Sequence, residues 1–594
     1  LLLALLPVLS AGRALAEPPA PAAATDTVID AAAPAAEDSS AEDSSTEESN
    51  AAVAPLDPLL QHQCVVLPPA GASPEQLADY EQRQLPIGEI NIVVDPIFDL
   101  NNPDENNWLF ALVNDLHIPT HDKVIRDDLL FGSGTLFSAD QMAESERVLR
   151  TRRYLRDASI HPVGECIDKV DLEVRVKDVW TLVPDVGFSR SGGNNTSRFG
   201  FRDSNFLGTG TAVHVIRERD AERTGTAFGY RDPNFGNTHS VLNLEYTDNS
   251  DGKKHEFGLY RPFFSLETPW AGGLTTLRDL RNDSLYFRDD KIQSFEHDEE
   301  SNSLFAGWSR GRIDHLTERW RFGINDERDD FAANDDTVPG APLPENRLYR
   351  YGWLEWERVN DDYVKAVNIN QMRRTEDINL GWSTTLRLGR TSSALGSVDQ
   401  GWIYSAAAER YWLIRDDQVL YLSGDVNGIY QDQPLQQVSQ LQARYHLGDF
   451  ASHQFFAGLR LEHGRNLFVD QPLMLGGDNG LRGYPSHYQV GDRTALLTLE
   501  ERFYLFTEVL SLFDVGAAVF ADAGRAWYTD RDNGLNGGWL SDVGFGLRLT
   551  PTRTGNERAG KQTVLHLDIA TPLDRDDDPS LDKIQWLVKV KESF

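Results

Sequence analysis

The chain has 594 residues, a quarter of them charged, with 57 Lys and Arg against 92 Asp and Glu, a net charge of −35 and a mean hydropathy of −0.44. That balance argues against nucleic acid, since phosphate binding needs clustered cations, and suits solubility and loops facing cations at a surface. Low hydropathy does not exclude a transmembrane β-barrel, whose strands alternate lipid-facing apolar with lumen-facing polar residues.

Residues 1–16, LLLALLPVLSAGRALA, have the apolar core and A-x-A cleavage region (Ala14, Ala16) of a secretory signal peptide whose extreme start is missing. A membrane anchor is the weaker alternative, because Pro7, Gly12 and Arg13 interrupt the run. No other stretch carries the about 18 uninterrupted apolar residues of a membrane helix. Residues 17–60 are Ala, Pro, Ser, Thr, Asp and Glu around EDSSAEDSSTEES. With almost nothing apolar to bury, this tail is expected to be disordered, as a spacer or a tether. Residues 61–85 read as a linker. The two cysteines, Cys64 and Cys166, are a candidate disulfide in an oxidising compartment. No CxxC or paired His suggests zinc.

Residues 86–178 read as a small α/β domain. Ile90–Val94 is a strand, Leu109–Leu116 and Asp122–Phe131 are short helices, and Ser138 with Gln141 opens a helix to about Arg153. Ser159–His161 and Val170–Val176 are strands, the second alternating Val170, Leu172, Val174 and Val176 with charged residues.

From 179 to 594 short alternating segments recur, and 12 of the chain's 13 Trp and 16 of its 18 Tyr lie there, available for interfacial girdles. The clearest predicted strand is Ile378–Leu388, eleven residues, about right for a tilted membrane crossing. Thr226–Tyr230, Leu242–Tyr246, Phe257–Leu259, Leu497–Leu505 and Ile584–Phe594 alternate likewise, and Asn249–Gly252 is a hairpin turn. The region fits about sixteen antiparallel strands closed as a transmembrane β-barrel.

Several strings then follow one another: DSNFLGTG (203–210), GGDNGLRGYP (476–485), LEERF (499–503), FADAG (520–524), SDVGFGLRL (541–549), LHLDIATPL (565–573) and the terminal Phe594. Together, behind LLFGSGTLFSADQMAESERVLRTRRYLRDASI and VDLEVRVKD, they resemble the outer-membrane assembly-factor superfamily, the BamA/TamA-like bacterial surface-antigen barrels with a POTRA domain. An extra helix at 105–117 departs from the simple POTRA pattern. The resemblance implies a bacterial outer-membrane protein with its N-terminal domain in the periplasm. It implies that GGDNGLRGYP folds back into the lumen, where Arg482 pairs with Asp522 near Glu500. Gly483 and Gly524 belong to the same motifs, and Tyr484 anchors the loop by packing. In a generic barrel Arg482 would be a solvated loop residue.

On the last strand Trp586, Val588, Val590 and Phe594 share one face with Ile584, resembling a C-terminal assembly signal. Glu592 interrupts that face. Pro184 and Gly187 weaken the first strand, which suggests a short seam with the last one; Pro184 simply starting the strand is the alternative. No HExxH or phosphate-binding loop is present, so no enzyme, cofactor or metal reading stands. His117 and His121 straddle Pro119 and do not share a helix face.

The expected function is insertion or translocation of proteins, or of lipids, at the outer membrane. Its partners would be lipids, client polypeptides and periplasmic chaperones or accessory proteins, without nucleic acid. The alternatives are a two-partner-secretion translocator for one secreted protein, or a passive surface antigen or porin.

Overall fold

The computed structural model describes residues 65–66, 72–166, 168–397, 400–431, 433–529, 537–555, 562–574, 578, 581–591 and 594. The signal segment, the acidic tail and Cys64 lie outside the described residues, as does the side chain of Cys166.

The N-terminal unit runs β1 (Val65–Val66), α1 (Pro74–Gln82), β2 (Ile87–Asp95), α2 (Trp108–Leu116), α3 (Asp122–Asp127), α4 (Ala139–Arg150), β3 (Leu155–Cys166) and β4 (Lys169–Asp178). Its sheet has the order β1-β3-β4-β2, with β2 parallel and β3 antiparallel to β4. The alternation in β4 puts Val170, Leu172, Val174 and Val176 on one fully buried face, against Ile125 and Leu149 from the helices. Ser138 opens α4 by accepting the Gln141 N–H at 3.4 Å.

The expected linker 61–85 instead contains α1. Ser73 and Gln76 form a reciprocal capping box with Pro74 at the first turn. The helix lays Tyr80 edge-on against Phe137, ring centroids 5.6 Å apart, and so belongs to the core.

The chain then enters a closed antiparallel barrel through β5 (Leu182–Ser191) and β6 (Asn194–Asp203). Twenty described strands close it, not about sixteen. The lower estimate allowed for longer loops than the chain uses. Phe287 and Asp290, and likewise Ile313 and Leu316, end paired strands across only two residues. Arg288, Asp289, Asp314 and His315 all take positive φ there, as two-residue hairpins of the right twist require.

The outer face carries exposed Phe322, Ile324, Leu386, Leu388, Val519 and Phe545, while Glu500 and Arg502 point inward and are buried. Alternation along each strand thus sorts an apolar exterior from a polar lumen.

The expected strand Ile378–Leu388 is broken. Thr375–Asn379 pairs with Tyr363–Val367 in a separate hairpin, and the barrel strand begins only at Ser383. Asn379 Oδ1 accepts the backbone N–H of Asp362 and of Gly381 at 3.1 and 2.9 Å, which turns the chain. Ile378 is buried with Ile369 and Val419, whereas Leu386 and Leu388 face outward.

This hairpin sits at the end where the chain enters the barrel, here the lower end, and α4 docks on it. Arg150 reaches Asp377 through two hydrogen bonds of 3.0 and 2.7 Å, and Lys365 reaches Glu146 at 2.7 Å. Glu144 accepts the Leu266 N–H at 2.6 Å, and Asp140 pairs with Arg312 at 2.5 Å. Burial disfavours the Arg150 charge, but Asp377 and Glu146 outweigh it and raise its pKa. Burial likewise raises the Glu144 carboxyl.

Candidate functional site: an inward loop and the barrel seam

The loop between the strands His453–Arg465 and Arg493–Val509 enters from the upper end and packs inside the barrel. Leu481, Tyr484 and Tyr488 form an apolar cluster with Leu475, Leu496, Ala526 and Leu540 from the wall and neighbouring segments. Tyr484 is fully buried and its hydroxyl donates to Ser541 O at 3.0 Å. Polar loop backbone is tolerated there because turns within the loop satisfy much of it, as Gly477, Leu481 and Tyr484 N–H show.

Arg482 is the charged centre of this loop. Its Nε and Nη2 donate to the two Asp522 carboxylate oxygens at 2.7 and 2.9 Å. Its Nη1 donates to Glu500 at 2.6 Å. The guanidinium carbon lies 3.4 Å from the Phe520 ring centroid, a close cation–π contact. Arg482, Asp522 and Glu500 are all buried.

The partners come from adjacent strands. Glu500 and Asp522 are inward positions of Arg493–Val509 and Phe513–Trp527, paired so that Thr498 faces Asp522 and Glu500 faces Phe520. Glu500 also accepts from Arg502 at 2.8 Å, and Arg502 lies 3.8 Å over Phe456. The bidentate fork fixes the guanidinium plane as a single ammonium could not.

Gly483 passes the wall where a side chain would not fit: an added Cβ would lie 2.6 Å from Asp542 Cβ and 3.0 Å from Pro572 N. Gly524 faces Leu475 as closely, at 2.8 Å. Gly483→Val is therefore expected to unseat the loop at a cost of about 1–3 kcal/mol of overpacking. Limited proteolysis of the folded barrel checks this, with new cleavage between residues 476 and 492 as the expected result.

The same loop touches both sides of the barrel closure. Ser486 N–H donates to Gly192 O at 3.0 Å, Ser486 Oγ to Ser191 O at 3.2 Å, and Ser191 Oγ to Gly477 O at 3.0 Å. On the other side Lys589 Nζ donates to Asp478 O. Gly192 takes φ +54° at the hairpin tip, with the Ser486 backbone where a Cβ would stand. None of these contacts follows from strand alternation; the paired glycines at 192 and 193 were their only signal.

The closure itself is short. Among the described residues, β5 pairs with the last strand, Gln585–Lys591, only at Arg190 and Val588. By contrast β5 and β6 share ten paired positions, and the last two strands share seven. The Arg190 guanidinium lies 4.9 Å over the Trp586 ring, which also stacks near Phe188 at 6.3 Å.

Phe594 departs from the face expected for it. Trp586 is exposed on the outside, but Phe594 is buried against Tyr504, Met372 and Ala518, edge-on to Tyr504 at 5.1 Å. Its N–H donates to Asn370 O of the lower hairpin at 3.0 Å. Lys591 is the last paired position among the described residues, and Phe594 lies outside the ladder, where alternation no longer governs it.

No protein-family model matches the chain, and no curated protein sequence matches it. Among solved structures it is similar to CdiB from Escherichia coli (12% identity, 90% of this chain and 81% of that one, TM-score 0.42). It is also similar to CdiB from Acinetobacter baumannii (12%, 89% and 77%, TM-score 0.40). A third is BamA from Haemophilus ducreyi lacking POTRA domains 1–3 (13%, 85% and 84%, TM-score 0.36).

Proposed function

We propose that this protein is an outer-membrane barrel that inserts or translocates polypeptides, with its N-terminal domain in the periplasm. The apolar exterior of a closed barrel with a polar lumen needs a bilayer around it. The lumen is occupied by a pinned loop and the lower end is engaged by α4, which fits a gated conduit better than an open pore.

The observation that carries this reading is the seam. Among the described residues a single residue pair joins β5 to the last strand, and the loop contacts at Ser191, Gly192 and Lys589 bridge the two sides. Release of the loop would leave little to hold the barrel closed toward the bilayer. β2 ends the sheet of the N-terminal domain; its start already bonds Gly134 and Thr135 through Ile87, so a client strand could add only along residues 91–95 through backbone hydrogen bonds.

A disulfide across the seam tests the proposal. In a Cys64→Ser, Cys166→Ser background, Arg190→Cys with Val588→Cys is expected to cut client assembly at least tenfold when oxidised. Reductant should restore it, and the single-cysteine variants should not respond. Full activity of the locked barrel would overturn lateral opening as the mechanism.

A further inference from the structure

The helix α2 is apolar on both sides, and only one side is covered. Phe110 is buried and stacks on Phe98 with ring centroids 3.9 Å apart. Val113 packs in the same cluster, together with Trp180 and Leu512 of the barrel's lower end. On the opposite side Trp108 is 77% exposed, Leu109 48%, Leu112 43% and Leu116 64%, and Ile118 just beyond is 48% exposed. Trp108, Leu112 and Leu116 recur every four residues, so they form one stripe along the helix.

The stripe is rigidly presented. Asn107 caps the helix by accepting the N–H of Leu109 and Phe110 at 3.1 and 3.0 Å. At the other end His117 Nε2 lies 3.0 Å from Asp178, which also accepts from Thr120 N–H at 2.8 Å. A solvent-facing Trp and four aliphatic side chains held in this way form a patch that calls for an occupant.

We propose that the occupant is the lipid surface: α2 lies flat in the headgroup region of the leaflet met by the barrel's lower rim. This rests on the membrane reading above. The footing of α2 is continuous with the barrel exterior. Trp180 lies two residues before Leu182, the exposed first residue of β5, and Leu512 lies in a turn whose Leu510 is 74% exposed. The two residues on which α2 sits therefore flank outward apolar positions of the rim. A nine-residue helix is about 14 Å long, far too short to cross a bilayer, and a Trp at one end suits the interface. The helix contains Asp115 and no Lys or Arg, so attachment is apolar and should not depend on anionic lipid. Held there, α2 would fix the N-terminal domain under the seam, between the 510–512 turn and β5.

The test uses the full chain reconstituted in phosphatidylethanolamine–phosphatidylglycerol vesicles, in the Cys64→Ser, Cys166→Ser background. Nitroxides are placed singly at Leu112→Cys and Leu116→Cys. Leu386→Cys on the barrel exterior serves as the lipid reference and Gln82→Cys on α1 as the water reference. The ratio of oxygen to nickel-chelate collisions at 112 and 116 is expected to approach that at 386 and exceed that at 82 several-fold. It should be unchanged in purely zwitterionic vesicles. Water-like ratios at 112 and 116 with a lipid-like 386 would overturn the inference and leave the barrel reading standing. Shielding from both reagents would overturn it in favour of a protein cover. Water-like values at 386 would sink the membrane reading itself.

Discussion

Arg482→Ala is expected to destabilise the inward loop by about 3–5 kcal/mol, the cost of leaving buried charges uncompensated. Two buried carboxylates lose a cation at once, because Asp522 and Glu500 are both bound to this one guanidinium. Glu500 keeps Arg502 at 2.8 Å; Asp522 keeps no other ion pair among the described residues. The barrel ladder does not pass through Arg482, so heat-resistant migration of the folded barrel should survive. The loop should become cleavable, and the seam should loosen with it, because Ser191, Gly192 and Lys589 are held by the neighbouring residues 477, 478 and 486. Arg482→Lys is expected to rescue only in part, since one ammonium cannot serve both carboxylates with the same geometry. Proteolysis indistinguishable from wild type, with normal activity, would show that the loop is held by its apolar cluster alone.

Asp377→Ala is the second large effect, about 2–4 kcal/mol against docking of the N-terminal domain. It strips two hydrogen bonds from Arg150, a buried guanidinium that retains Glu146 at 3.1 Å and Ala158 O at 2.9 Å. The domain has its own core under β4 and keeps the contacts of Glu146 with Lys365 and of Asp140 with Arg312, so it should remain folded while its grip on the hairpin loosens. Hydrogen exchange should therefore quicken in the hairpin 363–379, while the amides of β4 stay protected. The hairpin also accepts the Phe594 N–H through Asn370, so one small element touches both the docked domain and the end of the seam strand. Unchanged exchange in the hairpin would mean that the ion pair does not hold the domain in place.

Alternation and capping carried much of the fold. The run Val170–Val176, the turn at Asn249–Gly252 and the Ser138 cap are local patterns, and the structure has each of them. Arg482, Asp522 and Glu500 were legible through the strings around them and the complementarity of their charges; the structure brings all three together. What failed was tertiary. Ile378–Leu388 alternates well, yet Asn379 turns the chain within it. Phe594 follows the parity of its strand on paper, but the ladder stops before it and the lower hairpin takes it inward. The loop's grip on Ser191 and Lys589 joins positions about 100 to 290 apart in sequence, and no periodicity marks such a contact.

Quantitative comparison of outer-membrane protein content with and without this protein decides whether it handles client polypeptides. Loss of one or more client barrels or surface-secreted proteins on depletion, reversed by the wild-type chain and not by the oxidised seam-locked variant, is the expected result. An unchanged composition, with steady ion conductance from the purified barrel in planar bilayers, would contradict it and make the protein a passive pore.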